Sequence, residues 1–220
     1  FVAWIMEGQK QCLIMGNKNA ITYKELFPLI KENKIWLGYT SISLDILFKV
    51  PKEMELELLT QKEGSSYRLI NNEIFARSAS VWFTNIDHNR RHQPLKLMTM
   101  ADNLKFNKKL KGQTEYYRYD NYDAIEIPFT EVIPSDYEGV MGVPISFLDK
   151  YCPEQFEIVG ITKTWYGGAC KVYPEQIQFD KSGKFSKVTK LNDGPAIQIE
   201  DVSKHSTYYK ESKKTYIQTY

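Results

Sequence analysis

Two hydrophobic periods follow each other closely at the start of the chain. In FVAWIMEG the apolar residues recur at helical spacing and a glycine stands where a helix should stop, so the segment reads as the last turns of a helix. QCLIMG is a short continuous apolar run of the kind buried on both faces of a parallel sheet. A polar turn, Asn17 to Asn19, comes next. Thr22 is then placed to cap a helix over about 23–33, with Leu26, Phe27, Leu29 and Ile30 inside and Lys24, Lys31 and Lys34 outside, although Pro28 interrupts it. IWLGYT is another apolar run. Helix, strand, helix, strand in forty residues is the rhythm of a doubly wound α/β sheet, because parallel strands need crossover helices.

From about Ser43 the rhythm changes. FKVP, SYRLI, SVWFTNID, AIEIPF, FEIVGIT, KVYPEQIQF and AIQIEDV are short β-rich pieces broken by Gly, Pro, Asn and Asp. ISFLDKYCPEQF is the best remaining helical candidate before Pro153 ends it, and the closing run from Thr215 to Tyr220 alternates like a strand. The expected class is α/β passing into α+β, with a boundary between residues 1–42 and 43–220. Because the chain opens on Phe1 in mid-helix and closes in mid-strand, both ends read as interior to a longer polypeptide.

Composition narrows the class of protein. With 220 residues, 42% hydrophobic and 25% charged, the chain has apolar mass for a sizeable core, which excludes general disorder. No apolar run approaches the ~18–20 residues of a membrane-spanning helix. Cys12, Cys152 and Cys170 are odd in number and widely spaced, which fits reduced thiols in a cytoplasmic protein better than a disulfide framework. Lysine and arginine total 29 against 27 acids, so the net charge of +2 permits a nucleic-acid partner without requiring one.

Few familiar catalytic patterns occur. His88 and His92 stand four apart in HNRRH, but a third ligand and a general-base glutamate are missing, so no metal site is expected. There is no Walker A loop and no G-x-S-x-G, and GVMGVP around Gly139 and Gly142 lacks the third glycine of a dinucleotide cradle. Three stretches remain. WFTNIDHNRRH ends a β-prone run in a loop bearing Asn85, His88, Arg90 and Arg91; adjacent guanidinium groups suit phosphates or guanine, and a solvated turn has the same composition. EYYRYDNYDAIEI interleaves Tyr116, Tyr117, Tyr119 and Tyr122 with polar residues, a pattern shared by stacking platforms and, more often, by the buried face of a strand. Asn17, Lys18 and Asn19 stand at the carboxyl end of a strand leading into a helix, the edge where open α/β sheets bind ligands, although any βα turn with an Asx motif looks alike.

Taken in order, CLIMGNKNAITYKELFPLIKENKIWLGYTS, WFTNID with its basic tail, YDNYDAIEI and DYEGVMGVPISFLDKYCPEQFEIVG resemble the EcoRI-type adenine-specific DNA methyltransferases of restriction-modification systems. The resemblance covers most of residues 1–162. It implies a Rossmann-like enzyme that transfers a methyl group from S-adenosylmethionine to N6 of a flipped adenine in double-stranded DNA. On that view residues 1–42 are the last elements of the methyltransferase sheet, and 43–220 form a β-rich target-recognition region that returns to the core sheet near its end. The family's Asn-Pro-Pro-Phe type motif and its glycine-rich cofactor loop do not occur here, so no residue is assigned to catalysis or to the cofactor. Trp36 and Tyr39 are carried over only as secondary walls of the DNA site, beside Asn17, Lys18, Asn19, Asn85, His88, Arg90 and Arg91. The expected function is therefore that of a site-specific adenine methyltransferase present as a fragment. The alternative is a DNA-binding module or specificity subunit without catalytic activity. Self-association through an unpaired sheet is a further expectation, since CLIM and IWL want cover on both faces.

Overall fold

Ser80 to Thr84 forms the strand around which the amino-terminal half is organised. Its apolar side chains Val81 and Phe83 are buried, and both of its edges are occupied. In the computed structural model the described residues are 1–44, 46–162, 171–173, 177–179, 184–187, 194–201, 206–211 and 215–219. They fall into two units, Phe1–His88 and Asn89–Tyr220.

In the first unit, α1 (Val2–Glu7) ends at Gly8 and leads to β1 (Leu13–Asn17); a 3-10 turn (Lys18–Thr22), α2 (Phe27–Lys31) and β2 (Trp36–Leu37) follow. β3 (Ile46–Lys49), α3 (Lys52–Leu59), β4 (Tyr67–Ile70), β5 (Glu73–Ser78) and β6 (Ser80–Thr84) complete it. β1 and β2 do not pair side by side; a third strand stands between them. The order is β1-β6-β2, with β6 antiparallel to both, Thr84 opposite Leu13 on one side and opposite Trp36 on the other. The strand between them arrives from more than forty residues later, and no local pattern in 1–42 announces it.

Other expectations are corrected by the same unit. Pro28 does not interrupt a helix over 23–33; it sits in the first turn of a shorter one, where its missing N–H is harmless. Thr22 does not cap that helix, because its hydroxyl donates back to the carbonyl of Asn19 at 2.9 Å and closes the 3-10 turn. Nor is CLIM buried on both faces: Cys12 is buried, but Leu13 and Met15 are 59% and 46% exposed on the outer strand of the sheet. α3 was not foreseen, since KEMELELL alternates acid and apolar at a strand-like period. Its Leu, Met, Lys and Glu are strong helix formers, so it forms a helix with no buried residue. Residues 46–78 add a three-stranded antiparallel sheet in the order β3-β5-β4, and Asn71 and Asn72, both at positive φ, close the two-residue turn between β4 and β5 as a type I′ hairpin requires.

The second unit contains α4 (Met100–Phe106) and a four-stranded sheet of β7 (Ile125–Glu126), β8 (Met141–Val143), β9 (Phe156–Ile161) and β14 (Thr215–Thr219), ordered β7-β8-β14-β9. Two ribbons stand beside it in the chain order, β10 (Ile177–Phe179) with β11 (Phe185–Lys187), and β12 (Ala196–Asp201) with β13 (Ser206–Glu211). The helix expected in ISFLDKYCPEQF is instead a 3-10 turn, Ile145–Lys150, which follows Pro144. Phe147 packs edge-on against Phe156 with ring centroids 5.2 Å apart, and Ile127, Ile133, Met141, Ile158 and Ile217 are fully buried. Cys12 and Cys152 are free, buried thiols; Cys170 lies outside the described residues.

Buried polar groups fix the irregular parts. Asn121, fully buried, donates from Nδ2 to the Gly194 carbonyl at 2.8 Å and accepts the Ala196 amide at 2.7 Å, while the Asp120 amide donates to the Ala196 carbonyl. Burial pushes the Tyr116 phenol up to about 12, and its hydroxyl donates to the Val132 carbonyl. Glu131 is held down to about 2 by a backbone amide and by Lys109 and Lys150.

Two measurements test these anchors. Asn121→Ala leaves a buried carbonyl and amide without partners and is expected to cost about 1–3 kcal/mol for each group left unsatisfied, read as a lowered urea midpoint at unchanged m-value. Because the folded pKa of Glu131 is depressed, its contribution is present above its ordinary value of 4.5 and is lost as pH falls through about 2. The melting-temperature gap between wild type and Glu131→Gln should therefore close across that window; a gap constant from pH 5 to 2 would refute the coupling.

Candidate nucleic-acid interface

The turn after β1 takes the form its sequence requires. Asn17 Oδ1 accepts the Asn19 amide at 2.9 Å, an Asx turn that starts the 3-10 segment, and the Lys18 amide donates to the Ala79 carbonyl at 2.8 Å. Asn17 and Asn19 are exposed and Lys18 is half-buried. The turn marks one end of the three-stranded sheet, since Asn17 lies opposite Ser80.

A second group gathers at the other end, where β6 runs out. Thr84 Oγ1 donates to the Cys12 carbonyl at 2.7 Å and accepts the Ile86 amide at 3.0 Å. Asn85 accepts the Cys12 amide at 2.8 Å and donates to the Lys10 carbonyl at 2.9 Å, so both ends of its amide are engaged by the backbone leading into β1. Trp36 Nε1 donates to the Ile86 carbonyl at 3.1 Å, and His88 Nε2 lies 3.0 Å from the Leu37 carbonyl, which fixes Nε2 as the protonated nitrogen. The ring of Tyr39, 72% exposed, meets the His88 ring edge-on at 6.1 Å. Trp36, Tyr39, Asn85 and His88 are thus brought together along β2 and the loop that follows β6, and Asn17 to Asn19 are not among them.

Arg90 and Arg91 belong to the second unit, on a 3-10 turn spanning Asn89–His92. They are half-buried, and each is engaged by neighbouring groups rather than trailing in solvent. The turn is fastened to the segment 152–156. His92 Nδ1 lies 2.6 Å from Glu154 Oε1, the Leu95 amide donates to Gln155 Oε1 at 2.7 Å, and Gln155 Nε2 donates to the Leu95 carbonyl at 2.9 Å. The Cys152 thiol donates to Glu154 Oε2 at 3.1 Å; that bond and His92 hold the Glu154 carboxyl below its usual range, while burial pushes the Cys152 thiol up. Glu154 and Gln155 were missed in the sequence, where YCPEQF signals only a helix stop. Their partners lie some sixty residues away.

Tyr116, Tyr119 and Tyr122 are buried, as the core reading of EYYRYDNY expects, while Tyr117 is 48% exposed. Among the described residues no group of three or more His, Cys, Asp or Glu side chains is arranged to hold a metal ion. Among the described residues, Gly16, Gly139 and Gly142 do not form a nucleotide cradle. At Gly16 the space a side chain would take is filled by the Phe83 ring at 3.3 Å, at Gly139 by Tyr137 and at Gly142 by Tyr119, so the backbone approach is to protein and not to a ligand.

Comparison with known proteins places these elements in a family. The family model of the adenine-specific methyltransferase EcoRI matches residues 1–219. The chain is 42% identical over 159 residues to the type II methyltransferase M.EcoRI of Escherichia coli, covering 72% of this chain and 45% of that protein. It is 32% identical over 161 residues to M.MpnI of Mycoplasma pneumoniae (72% and 46%), and 32% identical over 160 residues to M.MgeORF184P of Mycoplasma genitalium (72% and 47%). The chain spans about half the length of these relatives. No solved structure matches it.

The fastening of the arginine-bearing turn has a direct test. Gln155→Ala removes both bonds to Leu95 and is expected to cost about 1–3 kcal/mol and to speed hydrogen exchange at the Leu95 amide. Exchange at Leu95 unaltered by the substitution would show that Gln155 does not hold the turn.

Proposed function

The chain belongs to the EcoRI-type family of adenine-specific methyltransferases, and from that premise we propose that it supplies the DNA-recognising part of a site-specific adenine-N6 methyltransferase of a restriction-modification system. The observation that carries the reading is the family match running through the Arg90–Arg91 turn, where two adjacent guanidinium groups are held on a fastened backbone instead of a mobile loop. Fixed guanidinium groups suit phosphate oxygens or the O6 and N7 of guanine, because the planar fork matches either pair of acceptors without reorganisation. Trp36, Tyr39 and His88 present rings of the kind that flank a nucleobase. Asn85 acts through the backbone it holds. Asn17, Lys18 and Asn19 offer amide and ammonium donors at a separate edge.

In this reading S-adenosylmethionine is the methyl donor of the whole enzyme and is held by residues outside this sequence. The part played by this chain is binding: it neutralises phosphates, reads base edges and sets the register of the duplex. Its place of action is the cytoplasm, where the DNA is.

Gel-shift titration of the 220-residue chain against a pool of duplexes at two salt concentrations tests the proposal. Binding is expected, weakening steeply with salt, and Arg90→Ala combined with Arg91→Ala should lower the slope of log affinity against log salt by about 1–2. A loss confined to particular sequences, at ~1–3 kcal/mol, would identify a guanine contact. Labelled methyl transfer to the same DNA should be absent, since both reactants must be held for catalysis. Failure of the wild-type chain to bind any duplex would overturn the reading.

A further inference from the structure

A second basic feature lies apart in the sequence from the arginine turn. Between Lys105 and Lys111 four of seven residues are lysine and none is acidic, in a chain whose basic residues outnumber acids by only 29 to 27. The backbone that carries them is unusually well fastened. Thr99 caps α4 by accepting the Asp102 amide at 3.1 Å. Asn103, fully buried at the inner side of α4, accepts Asn107 Nδ2 at 3.2 Å. Asn107 also donates to the Glu131 carbonyl at 3.1 Å and accepts the Lys109 amide at 3.1 Å, which starts the 3-10 turn Lys108–Leu110. Leu110 is 2% exposed, and Gly112, at φ +89 with open space around it, reverses the chain immediately after.

On this rigid support the ammonium groups face water. Lys109 shares the Glu131 carboxylate with Lys150, each at 3.1 Å. Among the described residues no carboxylate stands within ion-pair distance of Lys105, Lys108 or Lys111. Two aromatic rings lie against the lysines: Phe106, 63% exposed, with Lys105 Nζ 5.0 Å from its centroid, and Phe129, 42% exposed, with Lys109 Nζ at 4.7 Å. Uncompensated like charges repel, so grouping them on a stiff turn costs stability that flexible surface lysines would avoid. A polyanion passing over the turn removes that repulsion. Lysine is a point charge with no fixed fork, suited to phosphates at varied geometry and not to base edges, and the partly exposed rings beside the charges offer apolar contact to the sugars of the backbone.

We propose that the Lys105–Lys111 turn is a sequence-independent site for the phosphate backbone of duplex DNA, an inference that rests on the reading of the chain as a DNA-binding part. It is distinct from Arg90 and Arg91 in chemistry: lysine charges that position, against guanidinium groups able to specify.

The test compares three proteins in salt-dependent binding to several unrelated duplexes: wild type, a triple Lys105→Ala, Lys108→Ala, Lys111→Ala variant, and a control triple of Lys24→Ala, Lys34→Ala and Lys52→Ala with the same net charge. The site variant should lower the salt slope by about 2–3 and weaken binding to every duplex by a similar factor, with a melting temperature at or above that of wild type as the repulsion is relieved, while the control stays near wild type in binding. Equal slopes for wild type and the site variant would overturn the site and leave the DNA reading intact. A loss confined to one sequence, or an equal loss in the control, would also overturn it. Absence of binding by the wild type would overturn both.

Discussion

The pairing of β6 with two segments that precede it by more than forty residues is the constraint on which the first unit depends. Val81 and Phe83 supply the buried face, but burial alone would not select a partner for each edge. Selection comes from the polar end of the strand. Thr84 and Asn85 bind the backbone of Lys10 and Cys12, which fixes the register of β1, and Trp36 and His88 tie β2 to the loop that follows. At Gly38 the approach of Trp82 leaves no room for a side chain, its Cβ standing 2.7 Å from where one would begin. The same bonds that align the sheet also orient the rings of Trp36, Tyr39 and His88, so the candidate site is a by-product of how the strands are locked.

Local sequence made individual strands legible and left their order hidden. SVWFT, FEIVGI and TYIQT are β-branched and aromatic runs, and each is a strand. The placement of β6 between β1 and β2 depends on contacts at long separation, which periodicity does not encode. KEMELELL shows the opposite failure: its period is that of a strand, yet residue propensity prevails because no packing opposes it. At the site, the Asx turn of Asn17 was readable because donor and acceptor are two residues apart. The work of Asn85 and Gln155 was not, since their partners lie on segments 60 or more residues distant.

Charge in this protein is arranged by segregation. The net value of +2 conceals an acidic helix, α3, with Glu53, Glu55 and Glu57, and a lysine turn at 105–111 with no acid of its own. A chain of small net charge can thereby carry a locally positive surface within one unit, which bears on encounter with a polyanion more than on final affinity.

The position of β14 carries a consequence for the order in which the second unit forms. It lies between β8 and β9, with Ile217 opposite Met141 on one side and Ile158 on the other, and its side chain fully buried. Until residues 215–219 are in place, β8 and β9 have no strand to join them and each offers an open edge. Assembly of the sheet thus waits on a contact that closes a long loop, and until β14 has docked this unit passes through an interval in which its strand edges are open to mispairing.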